Sequence, residues 1–350
     1  RQQSSSPLLL PRQRERARGL DDLRHYAAQV AEAVEGLLAA GARVSRGRRG
    51  APAANDALLR RLLRDAEAAL GPPPAPYAWL LLGSGARQEQ TLRTDQDHAL
   101  VLADEAPAEA PAYVAALAER VTAGLEACGF PRCPGEVMAT NPRWRQPLAA
   151  WQQTFARWIE QPDEENLLRS AICFDFRQIH GELDAAAALR PVIARAQGNT
   201  LFLARLARAA LRTPAPLTFF RQVALERRGE QADLIDLKQR GTGLVVDLAR
   251  LFALEAGVSE TNSVARLRAA WPQASLSEVE AEALVRAFEL LSLLRLRHQR
   301  DQLRAGLEPT NLVAFSALGP MEQHGLKEAL QSVARVQRGL ASAYQTGRLF

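Results

Sequence analysis

The chain has 350 residues, enough for two or three domains, and its apolar share of 47% and charged share of 24% are ordinary for a packed globular protein. A net charge of +5 with the arginines scattered along it excludes a concentrated basic arm, so charge alone predicts no nucleic-acid partner. Cys128, Cys133 and Cys173 form no CxxC pair, which excludes a zinc or disulfide framework and fits a cytoplasmic setting, and no apolar run reaches the ~20 residues of a membrane helix.

Residues 1–14, rich in Gln, Ser, Pro and Arg, are expected to be a disordered lead-in. Leu20, Leu23, Tyr26, Val30, Val34 and Leu37 then recur at three and four, the stripe of an amphipathic helix ending near Gly41. A basic loop is expected over Arg46 to Gly50, and a second helix from about Asn55 to Leu70, with Leu58, Leu59, Leu62, Leu63 and Ala66 inward. Gly71-Pro72-Pro73-Pro74 stops it. Tyr77–Leu82 and His98–Leu102 are short continuous apolar runs between turn signals, the pattern of buried strands, with a turn and helix start between them over Gly83 to Arg93. A helix over 108–127 and an irregular stretch over 128–147 follow, in which Cys128 and Cys133 read as small buried hydrophobes. Next comes a helix carrying Trp151 and Trp158, seven apart and so on one face. Ala171 to Phe176 is the third strand candidate. Beyond Gly181 the pattern is almost wholly helical, over 182–197, 199–212, 240–256, 262–270, 277–304 and 320–345. The expected fold class is α+β: a helical segment over 15–72, a small mixed-sheet α/β domain over 73–181, and a C-terminal helical bundle over 182–350.

The chemistry concentrates between the first two strands. Gly83-Ser84-Gly85 opens a turn whose backbone N–H groups and hydroxyl suit phosphate oxygens. About ten residues later stands Asp95-Gln96-Asp97, at the mouth of the next strand. Residues i and i+2 of a strand point to the same side, so both carboxylates aim at one point, and a divalent cation resolves their repulsion. His98 should face the other way. Asp175 sits between bulky apolar residues, where an unpaired carboxylate is costly. Either it faces the same metal, as ligand or general base, or it pairs with Arg177 or Arg169.

Gly-Ser, Asp-x-Asp and an isolated Asp in this order resemble the polymerase β-like nucleotidyltransferase superfamily. The run Gly83-Ser84 to Arg87, Glu89-Gln90-Thr91-Leu92 and Thr94-Asp95-Gln96-Asp97 resembles its DUF294-type branch, relatives of the uridylyltransferase that modifies the PII signalling protein. Cys133 to Ala139, Trp144 to Leu148, Phe174 to Arg177, Asp236-Leu237-Lys238, Arg266-Leu267, His298-Gln299 and Asn311 extend the resemblance over nearly all of residues 15–345, including the branch's C-terminal helical domain. The resemblance implies in-line transfer of a nucleoside monophosphate from an NTP, with pyrophosphate leaving. It implies Asp95, Asp97 and Asp175 as the catalytic, Mg²⁺-binding (or Mn²⁺-binding) carboxylates. Gly83, Ser84 and Gly85 would hold phosphate, with Arg87, Arg177 and Lys238 as the cations near it. The acceptor would be a protein or small-molecule hydroxyl in bacterial signal transduction. Ligand-sensing cyclic-nucleotide-binding or CBS domains are expected upstream, outside this chain. The branch usually has Gly directly before the loop Arg; here that residue is Ala86, which would be strained at positive φ. Two other functions stay open: a nucleotide-binding regulatory module without catalysis, and a nucleotidyltransferase acting on nucleic acid.

Overall fold

The computed structural model describes residues 19–39, 44–92, 94–220, 222–228 and 231–344; the expected lead-in over 1–14 lies outside them. The chain forms two compact units, Arg1–Thr154 with Asp175–Leu189, and Phe155–Phe174 with Arg190–Phe350.

The first unit opens with α1 (Leu20–Ala39) and α2 (Val44–Leu70). Helix α2 reaches back through 46–50, where a loop was expected. The inward stripe of its second half holds: Leu58, Leu59, Leu62, Leu63 and Ala66 are all buried, against Leu23, Tyr26 and Val30 of α1. Then come β1 (Tyr77–Leu82), the single turn α3 (Gly83–Arg87), β2 (His98–Leu102), α4 (Ala110–Ala127) and β3 (Arg145–Pro147). Helix α5 (Leu148–Glu160) leads into the second unit, which also holds α6 (Glu164–Cys173); the chain returns at Asp175 into β4 (Phe176–His180).

The sheet order is β3-β2-β1-β4. β1 runs antiparallel to β2 and β4, while β2 and β3 are parallel, so the sheet is mixed. Every residue of β1 and β2 is buried, as their unbroken apolar runs require. Alternation still sorts them: Tyr77, Trp79 and Leu81 join the core shared with α1, α2 and α4. Trp151 is buried and donates from its indole N–H to the Leu100 carbonyl, 3.1 Å away.

The third strand candidate is corrected. Ala171–Cys173 end a helix capped by Asp163, whose carboxylate accepts from the Asn166 N–H at 2.8 Å, and the strand begins only at Phe176. A short apolar run fits the buried side of a helix as well as a strand, and here the helix wins because it is capped and continuous from Glu164.

In the second unit lie α6 and, from Arg190, the end of α7 (Ala185–Ala194), with α8 (Thr200–Leu211), α9 (Gly243–Glu255), α10 (Ser263–Ala270), α11 (Glu278–Arg304) and α12 (Pro320–Ala343). Their starts are chemically marked: Asn199 and Asn262 cap α8 and α10, and Ser277 with Glu280 forms a capping box on α11. The region is almost wholly helical as expected, with one small sheet that the pattern did not announce. β5 (Glu226–Arg228), β6 (Gln231–Asp236) and β7 (Leu312–Ala314) make a small antiparallel sheet in the order β5-β6-β7. Its strands have three to six residues and β7 comes from 76 positions beyond the end of β6, so no local period announces it. Among the described residues no helix is long and apolar enough to cross a membrane.

Candidate active site

β1 ends against two later segments. The Leu82 N–H donates to the Asp97 carbonyl at 2.9 Å and the Gly83 N–H to the Asp175 carbonyl at 3.0 Å. The Asp-x-Asp segment and the start of β4 are therefore pinned to either side of the same strand end. Gly83 has a φ of +51°, which a side chain would strain, and a Cβ there would stand 3.4 Å from Asp97 Oδ2. The glycine requirement of the loop thus sits at its first residue. Ala86 is buried with no positive φ, so alanine carries no backbone strain at the position where strain was the concern. Gln88 absorbs the reversal instead, at φ 57° and ψ 39°. Ser84 lies inside the turn and caps nothing: Leu82 holds the N-cap position. By geometry the N–H groups of such a first turn lack intrahelical partners.

Asp95, Gln96 and Asp97 divide by side. Gln96 is buried; its amide donates to the Phe130 carbonyl at 2.8 Å and the Thr122 carbonyl at 3.2 Å. His98 turns the same way. Its Nδ1 accepts from the Ala139 N–H at 3.0 Å, so Nε2 carries the proton and donates to Gln96 Oε1 at 3.2 Å. Full burial pushes its pKa down to about 3, leaving it neutral. Asp95 and Asp97 share the other, half-buried side, as the i, i+2 rule predicts. A small cavity of about 30 Å³ is lined by both, with Asp56, Gly85 and Gln90.

Asp175 is fully buried, and Arg87 Nη1 donates to its Oδ2 at 2.7 Å, while Arg87 Nε donates to Glu89 Oε2 at 2.8 Å. Of the two readings of Asp175, an ion pair is present, with Arg87 as the partner; Arg169 pairs with Glu165 instead. Arg177 makes a two-pronged pair with Asp56 of α2, both contacts at 2.8 Å, and also donates to the Gly85 and Ala86 carbonyls at 3.1 and 3.3 Å. It is held by a carboxylate and by the back of the loop. Asn55, beside Asp56, donates to Gln90 Oε1 at 3.2 Å.

The structure therefore brings Gly83, Ser84, Gly85, Arg87, Asp97, Asp175 and Arg177 around one strand end, with Asp95 beside Asp97. Among the described residues no three His, Cys, Asp or Glu side chains gather as a metal-binding group. Lys238 belongs to the second unit. It is exposed at the start of a π-helical turn, Lys238–Thr242, whose first N–H groups are capped by Asp236 Oδ1 at 2.8 and 2.9 Å.

Sequence reasoning passed over Asp56 and Gln96, and gave Cys133 only a packing role. Nothing in spacing marks Asp56, 121 positions from Arg177. Gln96 was legible, since alternation sends it inward whenever its neighbours point out. Cys133 departs from the buried-hydrophobe reading: it is half-buried and its thiol hydrogen-bonds with Asp97. Burial pushes its pKa up, and the Asp97 carboxylate adds to that.

Two family descriptions match the chain. Residues 28–165 match the family described as "Putative nucleotidyltransferase DUF294", and residues 200–344 match "Putative nucleotidyltransferase substrate binding domain". No curated protein matches the chain. The two matched segments together cover most of the sequence: the chain belongs to the DUF294 nucleotidyltransferase family and carries that family's C-terminal substrate-binding domain.

Proposed function

We propose that the chain transfers a nucleoside monophosphate from an NTP to a hydroxyl of a protein or small molecule, releasing pyrophosphate, as a cytoplasmic element of bacterial signal transduction. The observation that carries this reading is the meeting of Gly83 with Asp97, where a Cβ on the first loop residue would stand 3.4 Å from a carboxylate oxygen. Phosphate-type turn and acidic segment converge on one point.

Asp95 and Asp97 offer hard oxygen donors on one side of the chain, the set that Mg²⁺ (or Mn²⁺) takes together with substrate phosphates. They are the residues that would hold the ion, and its chemistry is to neutralise and polarise the triphosphate. Ser84 and the N–H groups of the turn beyond Gly83, whose own N–H is taken by the Asp175 carbonyl, bind phosphate oxygens. Arg177 holds the loop in shape from behind, through the Gly85 and Ala86 carbonyls. Asp175 is the base for the acceptor hydroxyl. Arg87 must turn from it for that proton to move, and then faces the phosphates. The relaxed backbone at Ala86 removes the one sequence feature that favoured a module without catalysis.

The test is incubation of the purified chain with each labelled NTP, Mg²⁺ and a lysate of its host, beside an Asp95→Asn/Asp97→Asn variant. Label and pyrophosphate that appear with the parent and vanish with the variant support the reading. Equal labelling by both overturns the assignment of the two carboxylates.

A further inference from the structure

We propose that Gln96 and His98 are positioning residues for the two carboxylates that flank Gln96: a neutral, buried chain of hydrogen bonds behind the acidic segment sets where Asp95 and Asp97 point. This deepens the nucleotidyl-transfer reading and rests on it.

Two adjacent carboxylates repel, and a strand mouth outside a regular ladder does not by itself hold them in register. Gln96 supplies the restraint from the opposite side. Its amide reaches the Thr122 carbonyl of α4 and the Phe130 carbonyl beyond that helix, and its oxygen accepts from His98. Its backbone N–H adds a bond of 3.0 Å to the Pro131 carbonyl. His98 is locked in turn, with its backbone N–H on the Val137 carbonyl at 3.1 Å, its Nδ1 on the Ala139 N–H, and its ring 4.7 Å from that of Trp79. The residue between the two aspartates is thereby tied to α4 and to the loop after it. A twist of the segment that moved either carboxylate would break several buried bonds together. Groups standing behind metal-binding side chains commonly change ion affinity 10- to 100-fold when removed.

The test uses Mn²⁺ alone as probe, titrated into the full chain by calorimetry. It compares the parent with Gln96→Met, His98→Asn and the Asp95→Asn/Asp97→Asn control, and records thermal unfolding of each. Gln96→Met keeps the length of the side chain and removes its polar contacts. His98→Asn retains an acceptor for the Ala139 N–H and loses the bond to Gln96, so it carries the test should Gln96→Met not fold. The expected result is folded variants whose half-saturating Mn²⁺ concentration rises about 10-fold or more. The Mn²⁺ dependence of pyrophosphate release should shift by the same factor, and kcat at saturating Mn²⁺ should change less. Variants that melt earlier yet bind Mn²⁺ like the parent overturn this inference and leave the transfer reading standing. A parent that binds Mn²⁺ no better than the double-Asp control overturns both.

Discussion

Arg177 and Arg87 both approach the Gly83–Arg87 turn with carboxylates as partners, yet their surroundings differ. Arg177 meets Asp56 with two parallel contacts of 2.8 Å and adds two loop carbonyls. That fork-to-fork geometry fixes direction as well as distance, and it ties α2, β4 and the loop into one piece. Arg87 instead gives Nε to Glu89 and Nη1 to Asp175. Two carboxylates thus share one guanidinium. The first pair reads as a brace between elements and the second as a guanidinium divided between the loop's own Glu89 and the buried Asp175. Sequence offered both arginines as phosphate cations; the structure separates them.

The sharpest way to break this comparison is at Asp175. Asp175→Asn should lower pyrophosphate release by about 10²- to 10⁴-fold, the usual worth of a positioned base, while Arg87 keeps Glu89 and the fold survives. Steady-state kinetics beside a melting curve checks this; a variant with parental kcat would remove Asp175 from the chemistry. The brace should show the reverse. Asp56→Ala leaves a largely buried guanidinium unpaired and should cost about 3 kcal/mol of unfolding free energy by urea denaturation. An Asp56→Leu/Arg177→Met double variant should recover much of that loss, because no charge is left stranded.

A smaller effect sets these charged pairs against the neutral side of Asp95-Gln96-Asp97. The pKa of His98 is lowered from 6.5 to about 3, so below pH 6.5 the unfolded chain takes up a proton that the folded chain refuses. Its contribution to stability is therefore fully present above pH 6.5 and is lost as pH falls toward 3, at roughly 1 kcal/mol per pH unit. Stability profiles of parent and His98→Asn should converge across that window; parallel profiles would exclude His98 as the cause. The smallest expected effect is Glu89→Gln, which keeps an acceptor for Arg87 and should cost about 1 kcal/mol with kcat within tenfold of the parent. A loss as large as that of Asp175→Asn would mean that the two carboxylates act as one unit.

Much of the site was legible because its logic is local. β1 and β2 occur at Tyr77–Leu82 and His98–Leu102 as their apolar runs predict, and Gly83, Ser84, Asp95 and Asp97 lie between them in one short stretch. The i, i+2 rule also separated Asp97 from His98 correctly. What escaped depends on chain pairing at long range. β4 carries Arg177, Gln178 and His180 among its five residues and is polar enough to pass for a loop, so the apolar Ala171–Phe174 drew the strand assignment instead. Asp175 could be singled out from its apolar neighbours, but its partner, 88 positions away, could not. The three-stranded sheet of the second unit was hidden for the same reason: β6 finds β7 only across the whole of α9 to α11.

The interleaving of the two units has a consequence for how the chain can be cut or synthesised. Residues 155–174 belong to the second unit although they precede β4, which belongs to the first. A fragment ending at 165, where the family match ends, would leave β1 without its neighbour on one side, with Gly83 deprived of the Asp175 carbonyl and an open strand edge prone to stick to other chains. During synthesis, too, the ribosome must release β4 before the sheet can close. The nucleotidyltransferase half cannot finish folding ahead of the opening segment of its partner, and the minimal expressible piece of this catalytic unit runs through at least Leu189.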